Sequence, residues 1–207
     1  MKRYRPPNLR ERIIEKSIRL FLKKGFNGTS IQDIMDEVGV SKGAFYWHFK
    51  SKDGLLETII ERFEKDFFES LFSHMNIKKD DFLKRFKSYH KYISEYALKN
   101  SELCVLATTL AAELTGSGTK AEKKLATLFE RYINFIESIL REGKQDNLFD
   151  DDFDITLNAH IIVSIHNGVL LQWYMNRKKL DGASLARTYR DVILYGMVKQ
   201  KDYQLKN

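Results

Sequence analysis

The sequence predicts an all-α protein of about nine helices, and three observations carry that expectation. Both prolines, Pro6 and Pro7, stand at the N-terminus and leave the next 200 residues without one. Proline breaks helix interiors, so such a stretch suits a mostly helical chain. No segment alternates apolar and polar residues long enough to make a half-buried strand. Apolar residues recur instead at three- and four-residue spacing, the repeat of a helix with one buried face.

The elements follow in order. Leu9 to Lys24 places Ile13, Ile14, Ile18, Phe21 and Leu22 on one side, with Gly25 as its stop. Thr29-Ser30-Ile31-Gln32 reads as a capping box that opens a short helix ended by Gly39. Ser41 caps a third helix, Lys42 to Phe49, and Ser51 with Asp53 opens one that continues to about Phe72. Longer helices are expected from Asp80 or Asp81 to Leu98, from Ser101 to Leu114, and from the capping box Thr119-x-x-Glu122 to Glu142. Asp150, Asp151, Asp152 and Asp154 put negative charge at the start of a helix reaching Met175, where the helix dipole favours it. The last helix runs from about Ser184 to Lys199.

Composition excludes several classes. A chain of 207 residues, 43% hydrophobic, buries a core without disulfide or metal staples. The single cysteine, Cys104, rules out an internal disulfide framework and any multi-cysteine metal site. No stretch approaches the roughly 18 uncharged apolar residues of a membrane span. The start, MKRYRPPNLRER, lacks the apolar core of a signal peptide. A cytoplasmic location is therefore expected, with no membrane partner. A Gly-rich phosphate loop, an HExxH motif and a nucleophile elbow are all missing, so no enzyme and no cofactor is expected. His160 and His166 lie on different faces of one helix, which argues against a metal site there.

The charge is unevenly placed. The chain carries a net +7, and its first 52 residues hold 12 Lys and Arg against 5 Asp and Glu. The remainder holds 23 of each and is neutral. A basic module (1–52) on a neutral body (53–207) points to a polyanionic partner for the module.

Within that module, Glu37-Val38-Gly39-Val40-Ser41 joins two short helices. Glycine allows the left-handed turn that two crossed helices need, and Ser41 then caps the second of them. This is a helix-turn-helix pattern, whose second helix enters the DNA major groove. Phe45 and Phe49 face the small core, leaving Lys42, Gly43, Ala44, Tyr46, Trp47 and His48 on the other side. An alanine methyl can meet a thymine methyl, and Tyr, His and Lys can donate to phosphates.

The stretch GFNGTSIQDIMDEVGVSKGAFYWHFKSKDGLL, Gly25 to Leu56, resembles the DNA-binding domain of the TetR family of bacterial transcriptional regulators. The matching features are the GF-x-x-TS-I start, the GVSKG turn, the F-Y-x-HF helix and the K-S-K-x-x-L entry to the next helix. Asp36 and Glu37 depart from the frequent alanines, and Trp47 occupies a variable position. The resemblance implies phosphate contacts from Thr29, Ser41, Tyr46, His48 and Lys52, with Lys42, Gly43, Ala44 and Trp47 nearest the base edges. It implies an arm, Lys2, Arg3 and Arg5, near the duplex, and a homodimer on a palindromic double-stranded operator. It also implies a C-terminal ligand-binding and dimerisation domain through which a small-molecule effector releases a repressor. Control by a protein partner, or no ligand at all, is the alternative, and repressor against activator stays open.

The C-terminal body fits both parts of that expectation. The helix at 155–175 is apolar around most of its circumference, as a dimer seam or a central core helix would be. With 184–199 it is the expected dimer interface. Phe63, Phe67, Phe86, Tyr89, Phe129 and Tyr132 are candidates to line a lipophilic or aromatic ligand, although ordinary core packing explains any single one of them better. Thr109, Glu113, His160, Ser164 and Asn167 are the polar candidates among them.

Overall fold

The computed structural model describes residues 8–75 and 81–199. The expected arm residues Lys2, Arg3 and Arg5 lie outside the described residues, as do Pro6, Pro7 and Asp80. Among the described residues there is no strand, and the helices are α1 (Leu9–Lys24), α2 (Ile31–Val38), α3 (Lys42–His48), α4 (Lys52–Phe63), α5 (Ser70–Met75), α6 (Phe82–Lys99), α7 (Ser101–Leu114), α8 (Lys120–Gln145), α9 (Ile155–Asn176) and α10 (Gly182–Met197). A π-helical stretch, Glu64–Glu69, joins α4 to α5 without a break, so the nine expected rods are present. The chain divides into two compact units, one of Met1–Glu64 with Glu102–Ala126 and one of Lys65–Ser101 with Thr127–Asn207. In this division α4, α7 and the start of α8 belong with the N-terminal helices.

In the first unit α1 packs on α2 and α4. Ile13 and Ile14 of α1, Ile34 of α2, Phe45 of α3 and Leu55 and Leu56 of α4 are buried and form its centre. Each such side chain contributes about 1.5–3 kcal/mol on burial. Caps set the helix boundaries. Asn8 accepts the Glu11 N–H at 2.9 Å, and Gly25 ends α1 at φ 76°. The capping box of α2 stands one residue later than expected. Ser30 accepts the Asp33 N–H at 3.0 Å and Asp33 accepts the Ser30 N–H at 2.8 Å. Thr29 cannot fill that role because its side chain is buried. The box at Thr119 is half formed: Thr119 accepts the Glu122 N–H, while the Glu122 carboxylate takes the Gly116 and Gly118 N–H groups instead.

In the second unit α6 packs on α5 and α10, and α10 on α9. Within the π-helical stretch Phe67 and Phe68 are both buried. Both rings stand 5.8 Å from Tyr132. Helix α8 continues past Glu142 to Gln145, beyond its expected end. Gly143 lies within it, and ring atoms of Phe149 and Phe82 occupy the space a Cβ would need there, at 2.5 and 2.9 Å. Asp154 alone among the four expected aspartates caps α9, accepting the Leu157 N–H at 2.9 Å. Its buried stripe is Ala159, Ile162, Val163 and His166, while Leu157, Ile161 and Met175 are exposed.

Gly143→Ala is expected to lower unfolding free energy by about 1–3 kcal/mol through overpacking against Phe149, even though alanine is the better helix former. A urea titration followed by circular dichroism checks this, and an unchanged or raised midpoint contradicts it.

Candidate functional site

The site in the first unit is built around the turn between α2 and α3. Gly39 adopts the left-handed conformation, φ 74° and ψ 49°, and its N–H and that of Val40 both donate to the Met35 carbonyl. Arg12 donates to the Val38 carbonyl at 3.0 Å and ties the end of α2 to α1. Ser41 then caps α3 by accepting the Ala44 N–H at 3.3 Å, which leaves its own O–H free to donate outward. Phe45 and Phe49 are buried with ring centroids 6.0 Å apart. The opposite face of α3 carries Trp47, 85% exposed, and Tyr46, 43% exposed. Lys42 and Gly43 are exposed beside them, with Ala44 and His48 half-buried. A Cβ on Gly43 would meet nothing within 4 Å, so that part of the face is open.

Two expected phosphate contacts are placed differently. The Thr29 side chain is buried, and its hydroxyl donates to the Gly25 carbonyl at 2.7 Å. Lys52 Nζ donates to the carbonyls of Phe26 at 2.7 Å and Thr29 at 2.8 Å and lies 4.3 Å from the Phe26 ring centroid. Two of its three protons are thereby committed to the α1–α2 loop. Glu113, expected at a ligand, completes the same clasp. Its carboxylate accepts the N–H groups of Phe26 at 3.0 Å and Asn27 at 2.8 Å. Together these side chains hold the loop that leads into α2.

The second unit holds a buried aromatic cluster. Of the expected ligand residues, Phe67, Phe86, Tyr89 and Tyr132 are brought together there. The Tyr89 and Tyr132 hydroxyls are 2.6 Å apart, and the Phe86 and Tyr89 rings 5.8 Å apart. Phe129 and Asn167 are half-buried. His160 and Ser164 are exposed, and the Ser164 hydroxyl donates to the His160 carbonyl, so neither joins the cluster. Phe63 and Thr109 belong to the first unit, where Thr109 donates to the Val105 and Leu106 carbonyls. The polar members that sequence reasoning missed are His166, His90 and Tyr189. His166 Nδ1 lies 3.1 Å from both tyrosine hydroxyls, and the His90 and Tyr189 rings are 4.4 Å apart. The spacing 159, 162, 163, 166 is itself a helical stripe, and it could have turned His166 inward and His160 outward.

Burial sets the charge state of this cluster. It pushes His166 down to about 3, with a smaller contribution from His90. It pushes His90 down to about 3, assisted by Arg190 and opposed by Asp191. Burial raises Tyr89 well above the usual phenol value and Tyr189 to about 12. Burial pushes the Cys104 thiol up to about 12, which favours its protonated form. Among the described residues no group of three or more His, Cys, Asp or Glu side chains could hold a metal ion, and no helix is long and apolar enough to cross a membrane.

Glu113→Ala and Lys52→Met should each cost about 1–2 kcal/mol of stability through lost charge-assisted hydrogen bonds. Trp47→Ala should stay within about 0.5 kcal/mol, as surface changes do. Urea midpoints that rank the three otherwise would refute the clasp. A pH series tests the histidines. Their folded values lie below the ordinary 6.5, so between 6.5 and about 3 the unfolded chain binds protons that the folded chain refuses. Stability is complete above pH 6.5 and falls on acidification, by about 1.4 kcal/mol per pH unit for each histidine. His166→Leu should flatten that dependence between pH 6.5 and 5.

Comparison with known proteins agrees with this geometry. The family model described as bacterial regulatory proteins, tetR family, matches residues 13–59, and that described as YsiA-like protein, C-terminal region, matches residues 63–196. A transcriptional repressor, DhaR of Mycobacterium sp. strain GP1, is 25% identical over 84% of this chain and 87% of its own. The crystal structure of the regulator MbdR from Azoarcus sp. CIB superposes with a TM-score of 0.83 at 24% identity, covering 92% of this chain and all of that one. The regulator FadR from Bacillus subtilis, solved in complex with stearoyl-CoA, superposes at 0.72 with 20% identity over 90% of this chain and 98% of its own. With a basic helix-turn-helix module and a helical C-terminal body each matched in turn, this chain belongs to the TetR family of bacterial transcriptional regulators.

Proposed function

We propose that the protein is a homodimeric repressor that binds a palindromic operator and is released when a lipophilic acyl compound enters its C-terminal unit. The observation that carries the DNA part is the exposed face of α3. A tryptophan 85% exposed beside an exposed tyrosine, on a short helix flanked by Lys42 and Lys50, is costly in water unless a partner covers it. Base edges with their thymine methyls, lined by phosphates, supply that cover. Ser41, Tyr46 and His48 would donate to phosphates, with Lys42, Gly43, Ala44 and Trp47 at the bases. Lys52 keeps one proton for a phosphate, while Thr29 contributes by shaping the loop.

Homodimerisation is supported by the face that α9 leaves uncovered. Leu157, Ile161, Ser164, Gly168 and Met175 form an exposed stripe at helical spacing, and Val192 and Tyr195 of α10 are exposed as well. Nothing lies within 4 Å of a Cβ built on Gly168, so a second backbone can approach closely there. The effector part is supported by the buried aromatic cluster and by the stearoyl-CoA held by the Bacillus subtilis FadR. Release follows when the effector binds best to a state of the dimer with low operator affinity.

Fluorescence anisotropy on DNA from upstream of the gene tests the whole reading. Wild-type affinity should fall steeply with salt through counterion release. Tyr46→Ala and Trp47→Ala should weaken binding about tenfold or more, in line with the loss of a base or phosphate contact, and palmitoyl-CoA should release the DNA. Full binding by both variants would overturn the site assignment. Light scattering should give twice the 24.3 kDa chain mass for the wild type, and the chain mass for Ile161→Asp combined with Val192→Asp.

A further inference from the structure

The outward face of α3 lacks the side chains that read most bases. Guanine is matched by paired donors from arginine or lysine, adenine by asparagine or glutamine, and cytosine by a carboxylate. Thymine alone offers a methyl group to an apolar surface. The helix reads Lys42-Gly43-Ala44-Phe45-Tyr46-Trp47-His48 and holds no arginine, asparagine, glutamine, aspartate or glutamate. Neighbouring α2 does not make up the lack. Its Gln32 donates to Asp36 at 2.7 Å, Asp33 pairs with Lys24 at 2.6 Å, and Glu37 with Lys16 at 2.9 Å. Lys42 is the one lysine of α3, a point charge on a flexible stem that suits a phosphate as well as a base.

What the face does offer is an apolar notch. Gly43 precedes Trp47 by one helical turn and Ala44 follows Gly43, so the three stand on one side of the helix. A Cβ built on Gly43 would meet nothing within 4 Å, and Ala44 adds only a methyl, so the floor is low. Trp47, 85% exposed, forms the wall. Helical side chains lean toward the N-terminus, the direction in which Gly43 and Ala44 lie. Tyr46 stands to one side, its ring edge-on to the buried Phe45 at 5.4 Å. A broad exposed ring beside a low floor is complementary to a small apolar knob, and in the major groove that knob is the C5-methyl of thymine. The charge around it agrees, since Lys42 and Lys50 are exposed at either end of the helix within the basic first 52 residues.

We propose that the operator is read chiefly through thymine: the notch of Gly43, Ala44 and Trp47 receives a thymine C5-methyl in each half-site, and this contact sets the sequence preference. The inference deepens the DNA-binding reading given above and rests on it. Trp47 is then the specificity-determining residue, with Ser41, Tyr46 and His48 on the phosphates that fix the register.

The test uses the full-length protein and the duplexes it selects from a random pool. Selected sites should share a thymine at the same place in both half-sites. Replacing that thymine by deoxyuridine keeps every hydrogen-bonding group and removes only the methyl. Fluorescence anisotropy should then show about fourfold weaker binding for one half-site and about fifteenfold for both, as burial of one and of two methyl-sized groups predicts. A cytosine in that place should bind better as 5-methylcytosine, which returns the methyl on a different base pair. Replacing purines by their 7-deaza forms, which lack the N7 acceptor, should cost less than the uracil pair. Trp47→Ala should bind the thymine and uracil duplexes within about twofold of one another, its specificity at that position relaxed. Uracil without effect at every position would overturn the methyl assignment and leave the DNA-binding reading intact, as would a larger loss from a 7-deaza purine. Failure to select or bind any duplex would overturn both. A full thymine preference in Trp47→Ala would overturn the placement of the methyl in this notch.

Discussion

The loop between α1 and α2 is the constraint on which the N-terminal unit depends. Its backbone groups stand outside any helix, and buried backbone donors and acceptors must be paired. Glu113 takes the N–H groups of Phe26 and Asn27, Lys52 takes the carbonyls of Phe26 and Thr29, and the Thr29 hydroxyl takes that of Gly25. With the loop held from both sides, Ser30 is placed to cap α2. Gly39 can then turn the chain so that α3 presents Tyr46 and Trp47 outward. The exposed face of α3 thus depends on side chains from α4 and α7 that fix the loop ahead of α2.

The same rule has a different outcome in the second unit. There the tyrosine hydroxyls and His166 Nδ1 satisfy one another, but the two Nε2 atoms are left over. A protein interior that is purely structural gains nothing from such groups, because an apolar residue of the same size would pack without the desolvation cost. Burial holds both imidazoles neutral.

Much of this was legible in sequence. The helical period, the caps at Ser41, Ser51 and Asp81, the left-handed glycines at 25 and 39 and the basic first 52 residues each express themselves within four or five residues, where chain neighbours decide the geometry. The reading helix was legible for the same reason, since Phe45 and Phe49 fix which side of α3 turns in. Thr29 and Ser30 show the limit. Both are good caps by type, and the burial of Thr29 selected its neighbour. Lys52 and Glu113 were expected at a phosphate and at a ligand, and sequence gave no sign of the loop contacts they make. Their actual partners are 26 and 87 residues away and leave no local trace.

By itself, then, the sequence determined the class of the protein: an all-α chain with a basic helix-turn-helix module and a neutral, aromatic-rich helical body. Those properties follow from periodicity, capping and charge, all of them short-range. The tertiary structure decided which candidates are exposed and which are taken up in holding the frame. It turned His166 inward and His160 outward, set the Phe149 ring where a Cβ on Gly143 would stand, and brought Phe67 and Phe68 against Tyr132. Each of those outcomes depends on what a distant segment places opposite the residue, because burial and hydrogen-bond pairing are properties of neighbours in space.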